Sequence, residues 1–93
     1  MQVKHTENDG SGDFTALIEG REAGKMTYTS AGENKFSLDH TEVISTYKGK
    51  GVGKELLKSA AEYARNNNYK IVPVCSYAKT LMERSSDYDD VLN

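Results

Sequence analysis

Hydrophobic and polar residues alternate in short runs through the first half of the chain, separated by clusters of turn-forming residues. This pattern is typical of strands in an antiparallel meander. The predicted strands are residues 2–8, 14–19, 25–30 and 36–46, and the predicted turns are residues 9–13, 20–24 and 31–35.

Helical spacing replaces the alternation in the second half. Val52, Leu56, Ala60 and Ala64 form one apolar stripe, and charged residues occupy the opposite side. Asparagines at positions 66–68 predict the end of this helix, because asparagine tolerates left-handed backbone. Residues 69–75 predict a further strand that leads into a final helix. A strand, a helix and a strand in this order predict a βαβ unit with parallel strands.

A glycine-rich loop stands where the long helix begins. Its residues are Lys48, Gly49, Lys50, Gly51, Val52, Gly53 and Lys54. A helix N-terminus has unpaired N–H groups and the positive end of the helix dipole, and glycine lets an anion approach the backbone closely. The loop therefore predicts a phosphate site, and its lysines add positive charge. The alternative is a glycine-rich turn with surface lysines that binds nothing.

The spacing of the glycines excludes the two commonest phosphate loops. A Walker loop requires glycine where Lys48 stands and Ser or Thr where Glu55 stands. A dinucleotide fingerprint requires a further glycine at Lys54 or Leu56.

Pro73 interrupts the strand that follows the helix. Proline cannot donate to a ladder, so pairing with the preceding parallel strand is expected to stop near this residue. A wedge between the two strands would admit a thin, extended ligand. The alternative is an edge strand that Pro73 protects from aggregation.

Composition limits the class of protein. A chain of 93 residues predicts one domain, residues 1–93, and a net charge of −2 gives no support for nucleic-acid binding. No apolar run is long enough to span a membrane, and no signal-peptide pattern opens the chain. The single cysteine fits a reducing cytoplasm, and the scattered histidines and cysteine predict no metal site.

The loop resembles the acyl-CoA signature of the GNAT N-acetyltransferases, Arg/Gln-x-x-Gly-x-Gly/Ala, with Lys48 in the first place. The resemblance spans roughly residues 38–91 and is closer to the short, stand-alone YjdJ-type domains. The segments that carry it are residues 40–43, the glycine loop and residues 62–65, 72–75 and 84–91. Ser76, Tyr77 and Ser85 depart from the residues expected there, which are proline, phenylalanine and histidine.

The resemblance implies an α+β chain with a minimal acyl-CoA N-acyltransferase fold that binds acetyl-CoA and acetylates an amine. It also implies that a backbone N–H near Val43 or Ile44 holds the thioester carbonyl. With the loop and Cys75, these residues form the predicted cofactor site. No helix is predicted near the N-terminus to wall the acceptor side, so this side is expected to be open, or completed by a partner protein or a second copy.

Acyl transfer requires a base that deprotonates the attacking ammonium. His40 and Glu42 are the candidates, and on a regular strand they would share a face with Phe36, Leu38 and Ile44. A polar break in an apolar face could mark a pocket. It is equally typical of a strand end that reaches solvent.

Cys75 and Tyr77 complete the candidate catalytic residues. Cys75 lies between the last strand and the final helix, where a thiol could line the acyl pocket or accept the acyl group. A buried, inert cysteine is the alternative. By the resemblance, Tyr77 would donate a proton to the departing thiolate, and simple packing is the alternative.

Three functions remain open at this point. The first is an acetyl-CoA-dependent N-acetyltransferase that works by direct transfer. The second is a non-catalytic acyl-CoA-binding module without a complete acceptor site. The third is a small interaction domain whose loop binds no ligand.

Overall fold

The computed structural model describes residues 1–93 as one five-stranded sheet with two α-helices. The strands follow one another in chain order across the sheet, and only the last pair is parallel. The elements are β1 (Gln2–Asn8), β2 (Ser11–Ile18), β3 (Arg21–Ser30), β4 (Lys35–Val43), α1 (Val52–Asn67), β5 (Lys70–Pro73) and α2 (Ser76–Arg84). Short 3-10 helices occupy Ser45–Tyr47 and Ser86–Tyr88. The α+β fold and the βαβ unit β4-α1-β5 are confirmed.

The first two turns are tighter than predicted. β1 and β2 are joined by Asp9 and Gly10 alone, and β2 and β3 by Glu19 and Gly20 alone. All four residues have positive φ, which matches the twist of two-residue hairpins. The predicted turns at residues 9–13 and 20–24 were therefore too long, and β2 and β3 begin three and four residues earlier than expected.

The predicted apolar stripe of α1 packs on one face of the sheet. Val52, Leu56, Leu57 and three alanines of α1 are buried among residues from β2 to β5. Gly51 in left-handed conformation precedes the helix, and Asn68 ends it in the same conformation. The asparagine stop is confirmed. No helix of the chain is both long and apolar enough to cross a bilayer.

A β-bulge changes the faces of β4 after Leu38. Tyr28 pairs with Leu38 and Thr27 with His40, so Asp39 is the extra residue. Residues directly opposite one another on adjacent strands share a face. Thr41 pairs with buried Met26 and therefore lies on the face that α1 covers.

The bulge corrects the predicted parity of β4. His40 and Glu42 pair with Thr27 and Lys25, which lie on the face opposite α1. They do not share a face with Phe36 and Leu38, as a regular strand would require. None of the paired residues on the opposite face is buried. We call this surface the outer face; its residues in β2 to β4 include Asp13, Thr15, Lys25, Thr27, Ser37, Asp39, His40 and Glu42.

The C-terminal residues close the edge of the sheet at β5. The Ile71 N–H donates to Val91 O at 2.6 Å, and the Asn93 N–H donates to Ile71 O at 2.9 Å. Arg65 on α1 holds this segment through Asp90, with Nε and Oδ2 2.7 Å apart. The segment is thus anchored to α1 and β5.

Candidate acyl-CoA site

The glycine loop leaves a row of backbone donors without partners. The N–H groups of Gly49 and of residues 51–54 donate no hydrogen bond within the chain, and no side chain caps the helix. The neighbouring donors are used, since Lys50 donates to Tyr47 O at 3.3 Å and Glu55 to Gly51 O at 3.1 Å. The free donors coincide with the positive end of the α1 dipole, so this region of backbone favours an anion.

The three glycines of the loop meet different demands. Gly49 and Gly51 have φ of +82° and +79°, and a Cβ at either position would have no atom within 4 Å. These two glycines permit the turn and leave the amides open. A Cβ on Gly53 would lie 2.1 Å from the Tyr77 hydroxyl oxygen, so Gly53 makes room for Tyr77. Gly53 therefore has a packing reason in addition to the close approach to the backbone that the sequence predicts.

A cleft of about 600 Å³ opens beside the loop. Val43, Tyr47, Tyr77 and residues 48–54 line it. This volume is within the range of small-molecule sites. Lys48, Lys50 and Lys54 are exposed around it and add positive charge to the positive helix end. Sequence reasoning missed Tyr47, whose only signal is its place directly before the loop.

β4 and β5 part at the position that Pro73 predicts. Pro73 pairs with Leu38 and is the last residue of β5, whereas β4 continues to Val43. The N–H groups of Val74 and Cys75 both donate to Leu38 O, at 3.0 and 2.8 Å. Beyond that carbonyl, residues 39–43 have no strand beside them on the β5 side. We call this gap the seam.

The main chain of β4 presents hydrogen-bonding groups to the seam. The Ile44 N–H donates to Ala23 O at 2.8 Å, so Ile44 is turned toward β3. Successive residues of an antiparallel strand direct their N–H groups to opposite sides. Because Ile44 points toward β3, Val43 and Thr41 are turned toward the seam. Of the two donors expected to hold a thioester carbonyl, Ile44 is therefore engaged and Val43 is available.

Cys75 lies at the seam, between β5 and α2. Its thiol is half-buried and donates to the Thr41 hydroxyl at 3.2 Å. No histidine or carboxylate takes part in this hydrogen bond, so the thiol lacks the base that activates a nucleophilic cysteine. The sequence does not point to Thr41 as a site residue, because without the bulge Thr41 would lie on the face opposite α1.

Tyr77 stands between the loop and the seam. Its hydroxyl lies over Gly53, and burial raises the pKa of the phenol, with further contributions from Tyr88 and Cys75. A phenol is protonated near neutral pH, as a proton donor must be, and the raised pKa makes Tyr77 a weaker acid than free tyrosine. The residue is 39% exposed and forms part of the cleft surface.

The remaining candidates lie on the other side of the seam. His40 and Glu42 are exposed on the outer face and line one small cavity with Lys25 and Thr27. The structure therefore separates the predicted residues into two groups. The loop, Val43, Cys75 and Tyr77 lie on the α1 side, and the two candidate bases lie on the outer face.

The sequence and fold match known acetyltransferases. The family described as GCN5-related N-acetyl-transferase matches residues 13–91. The chain is 27% identical over 86 residues to Protein NATD1 of Gallus gallus, covering 91% of this chain and 76% of that protein.

Two solved structures extend the comparison. The solution NMR structure of a GCN5-like protein from Staphylococcus aureus is 35% identical, with a TM-score of 0.75, and the match covers 97% of this chain and 87% of that one. A GNAT acetyltransferase from Elizabethkingia anophelis, solved with acetyl-CoA bound, has a TM-score of 0.66 at 18% identity. That match covers 81% of this chain and 52% of the other, and it shows a shared fold.

Proposed function

Because the chain belongs to the GCN5-related N-acetyltransferase family, we propose that it binds acetyl-CoA and transfers the acetyl group directly to an amine. The observation that carries the proposal is the row of free N–H groups at the start of α1, beside a seam in the sheet. The diphosphate would contact the loop, and the pantetheine arm would lie in the seam. The acetyl-CoA complex of a protein with the same fold supports this choice of ligand.

The residues on the α1 side would bind and polarise the acyl group. Acetyl-CoA supplies the acetyl group as a thioester. The Val43 N–H would donate to the thioester carbonyl oxygen, where negative charge develops as the amine attacks. Thr41 would offer a second main-chain contact along the arm, since its N–H and C=O are also turned toward the seam.

Proton transfer would occur on both sides of the seam. His40 or Glu42, directly or through a water molecule, would take the proton that the ammonium must lose before attack. The bond from nitrogen to the carbonyl carbon forms as the bond from carbon to sulfur breaks. Tyr77 would donate a proton to the departing sulfur, and it would regain one, through water, as the amide nitrogen loses its second proton. The amine would reach the thioester from the outer face, because both candidate bases lie there.

Binding and transfer are tested by two assays. Calorimetric titration should give saturable acetyl-CoA binding that weakens when Lys48, Lys50 and Lys54 are replaced by Gln. Thiol release should then exceed background when acetyl-CoA is mixed with a panel of amines, peptides and protein lysines. Absence of acetyl-CoA binding would overturn the proposal and leave the interaction-domain hypothesis.

A non-catalytic acyl-CoA-binding module is the second candidate. It is favoured by the outer face, which has no buried residue among its paired positions in β2 to β4 and hence no wall around an acceptor. Tight acetyl-CoA binding without thiol release for any amine would support this function. A partner or a second copy could complete the wall, and location in the cytoplasm stays a prediction.

A further inference from the structure

Four aromatic rings line a cavity at the far end of α1 from the glycine loop. The cavity has a volume of about 180 Å³, and its lining shares no residue with that of the cleft beside the loop. The rings belong to Tyr28 on β3, Phe36 on β4, Tyr63 on α1 and Tyr69 between α1 and β5. We call these four rings the cage. The cage is a second concave site, separate from the candidate acyl-CoA site.

The rings of the cage stand at steep angles to one another. The ring centroids of Tyr28 and Phe36 are 5.1 Å apart, with their planes at 56°. Those of Tyr63 and Tyr69 are 5.7 Å apart, with their planes at 71°. Tilted pairs of this kind are ordinary in aromatic cores. Here, however, a cavity remains beside the rings, so they form its walls and do not fill it.

The cavity has an apolar floor and a polar mouth. Tyr28 and Phe36 are only 5% and 3% exposed, and the other two rings are half-buried. The remaining lining residues are all exposed; they are Glu7, Gly10, Ser30, Gly32, Asn34 and Lys35. The Tyr28 hydroxyl is already engaged with His5 Nε2, at 2.6 Å. A group that enters the cavity therefore meets ring surface on its floor and polar groups only at its mouth.

Glu7 places a negative charge beside the cage. Burial raises the pKa of the Tyr28 and Tyr63 phenols, and the Glu7 carboxylate adds to the rise in both, so this carboxylate lies near both rings. Glu7 forms no ion pair within the chain. Lys35 is also unpaired, and its long, exposed side chain lets the ammonium remain in water. A carboxylate beside aromatic faces favours a cation, since those faces carry negative potential.

The size of the cavity limits the ligand to a small headgroup. Sites for whole small molecules usually measure about 300–1,000 Å³. An apolar cavity of about 150 Å³ is enough for benzene. At about 180 Å³, this cavity therefore admits a group of similar size, with the rest of the ligand outside.

The polarity of the floor selects among cationic headgroups. A primary ammonium has three N–H donors that need acceptors, and the ring surface does not supply them. A quaternary ammonium has no N–H group, and it presents methyl groups to the rings. The cage therefore suits a quaternary ammonium better than a primary one.

We propose that the cage binds the trimethylammonium group of a ligand. The methyl groups would contact the four rings, and Glu7 would balance the positive charge at the mouth. Two sources carry this headgroup, a free cation such as choline and a trimethylated lysine of another protein. The inference goes beyond the proposed acetyltransferase function and does not depend on it, because the two sites share no lining residue.

The first test compares a cation with its neutral isostere. The alcohol 3,3-dimethylbutan-1-ol has the shape of choline, with carbon in place of the charged nitrogen. In NMR titrations of the full chain, choline should shift the amides of the four cage residues saturably, with an affinity about fivefold or more above that of the alcohol. Equal or tighter binding of the alcohol would indicate an ordinary apolar pocket and overturn the inference. The absence of localised shifts would overturn it too.

Variants at the mouth test the sign of the charge. Glu7→Gln should weaken choline binding about twofold to fivefold, and Lys35→Gln should strengthen it about twofold, because these changes remove an attractive and a repulsive charge. Both residues are exposed, so neither change disturbs the core. Glu22→Gln is the matched control for Glu7→Gln, since it removes the same charge near the β2–β3 turn. Equal effects of the two glutamate changes, or weaker binding by the Lys35 variant, would contradict the proposal.

Two substitutions of Tyr69 separate the ring from its hydroxyl. Tyr69→Phe keeps the ring and should hold the choline affinity within about twofold, whereas Tyr69→Leu should lower it about threefold to tenfold. The amide spectrum of each variant checks that the chain is folded. The same affinity for the phenylalanine and leucine variants would argue against contact between the cation and this ring.

A lysine derivative distinguishes the two sources of the headgroup. The probes are Nα-acetyl-Nε-trimethyllysine amide and its counterpart with an unmethylated side chain. Tighter binding of the trimethylated derivative than of choline would identify a protein side chain as the ligand, and the reverse order would identify a free cation. Equal binding of the methylated and unmethylated derivatives would overturn the proposal, because the cage would then not distinguish trimethylammonium from ammonium.

Discussion

The sequence predicts the roles of some glycines in the loop and not of others. The sequence correctly predicts that the glycine loop lies at the start of α1, because glycine next to a helix start is a local pattern. It does not reveal that Gly53 faces Tyr77, since that contact joins residues far apart in the chain. Only Gly49 and Gly51 keep the loop open through their backbone conformation.

Gly51→Val tests the loop against a matched position. Gly51 and Gly20 have φ of +79° and +78°, and a Cβ at either would have nothing within 4 Å. Valine should therefore cost about 1–2 kcal/mol of unfolding free energy at both positions, because φ is positive. Only Gly51→Val should weaken acetyl-CoA binding, by more than about tenfold, since its side chain would enter the anion site. Calorimetry and urea unfolding measure the two effects, and equal acetyl-CoA affinities for the two variants would contradict this role of Gly51.

Cys75 should not become acylated during turnover. Its thiol donates to the Thr41 hydroxyl and has no base as partner, so direct attack by the amine is expected. Intact-mass spectrometry after incubation with acetyl-CoA alone should show the unmodified chain, and Cys75→Ala should keep kcat within about threefold. A stable adduct of acetyl mass on Cys75, lost on adding an amine, would indicate a covalent mechanism instead.

At the scale of elements, the order and type of the main strands and helices follow from the sequence pattern. The tight first hairpin could also have been predicted, since Asp9-Gly10 between alternating runs is a strong hairpin signal. The bulge at Asp39 could not be predicted, because an extra residue in β4 can be recognised only when the pairing of β4 with β3 is known. As a result the sequence places His40 and Glu42 on the wrong face and overlooks Thr41.

Gly24 controls how closely α1 approaches the sheet. A Cβ on Gly24 would lie 2.7 Å from Val52 Cγ1 and 2.8 Å from Glu42 O. Gly24→Ala should therefore lower the free energy of unfolding by about 1–3 kcal/mol, measured by urea denaturation. Adding Val52→Ala removes one of the two clashes, so part of the cost of Gly24→Ala should disappear in the Val52→Ala background. The same cost in both backgrounds would argue against a close α1 contact.

At the scale of the whole molecule, the ion pair of Arg65 and Asp90 links the C-terminal segment to α1. The hydrogen bond from Arg65 lowers the pKa of Asp90 below its ordinary value of 3.8. A lowered folded-state pKa means that the stabilisation is fully present above about pH 4. It is lost as the pH falls through the folded-state value.

Asp90→Asn should therefore lower Tm modestly at pH 7, and the difference from the original chain should be smaller at pH 3. Thermal unfolding followed by circular dichroism at both pH values measures this change. Asp9→Asn, a substitution of the same kind in the exposed β1–β2 turn, serves as the control. A Tm difference for Asp90→Asn that is as large at pH 3 as at pH 7 would show that the carboxylate charge is not its cause.

The molecule as a whole places the cleft of the glycine loop on the α1 side of the sheet and the two candidate bases, His40 and Glu42, on the outer face. The sequence predicts the first through local glycine and proline signals. It cannot predict the second, because the outer face is assembled from strands whose register is not visible in the chain.

The most direct measurement is an NMR titration of the isotope-labelled chain with acetyl-CoA. The amides of Gly49, of residues 51–54 and of Val43 should shift together and saturate at one equivalent. Those around the separate cavity of about 180 Å³ near Tyr63 and Tyr69, at the far end of α1, should stay unchanged. Unmoved loop amides, or shifts confined to that far cavity, would contradict an acyl-CoA site built on the start of α1 and the seam.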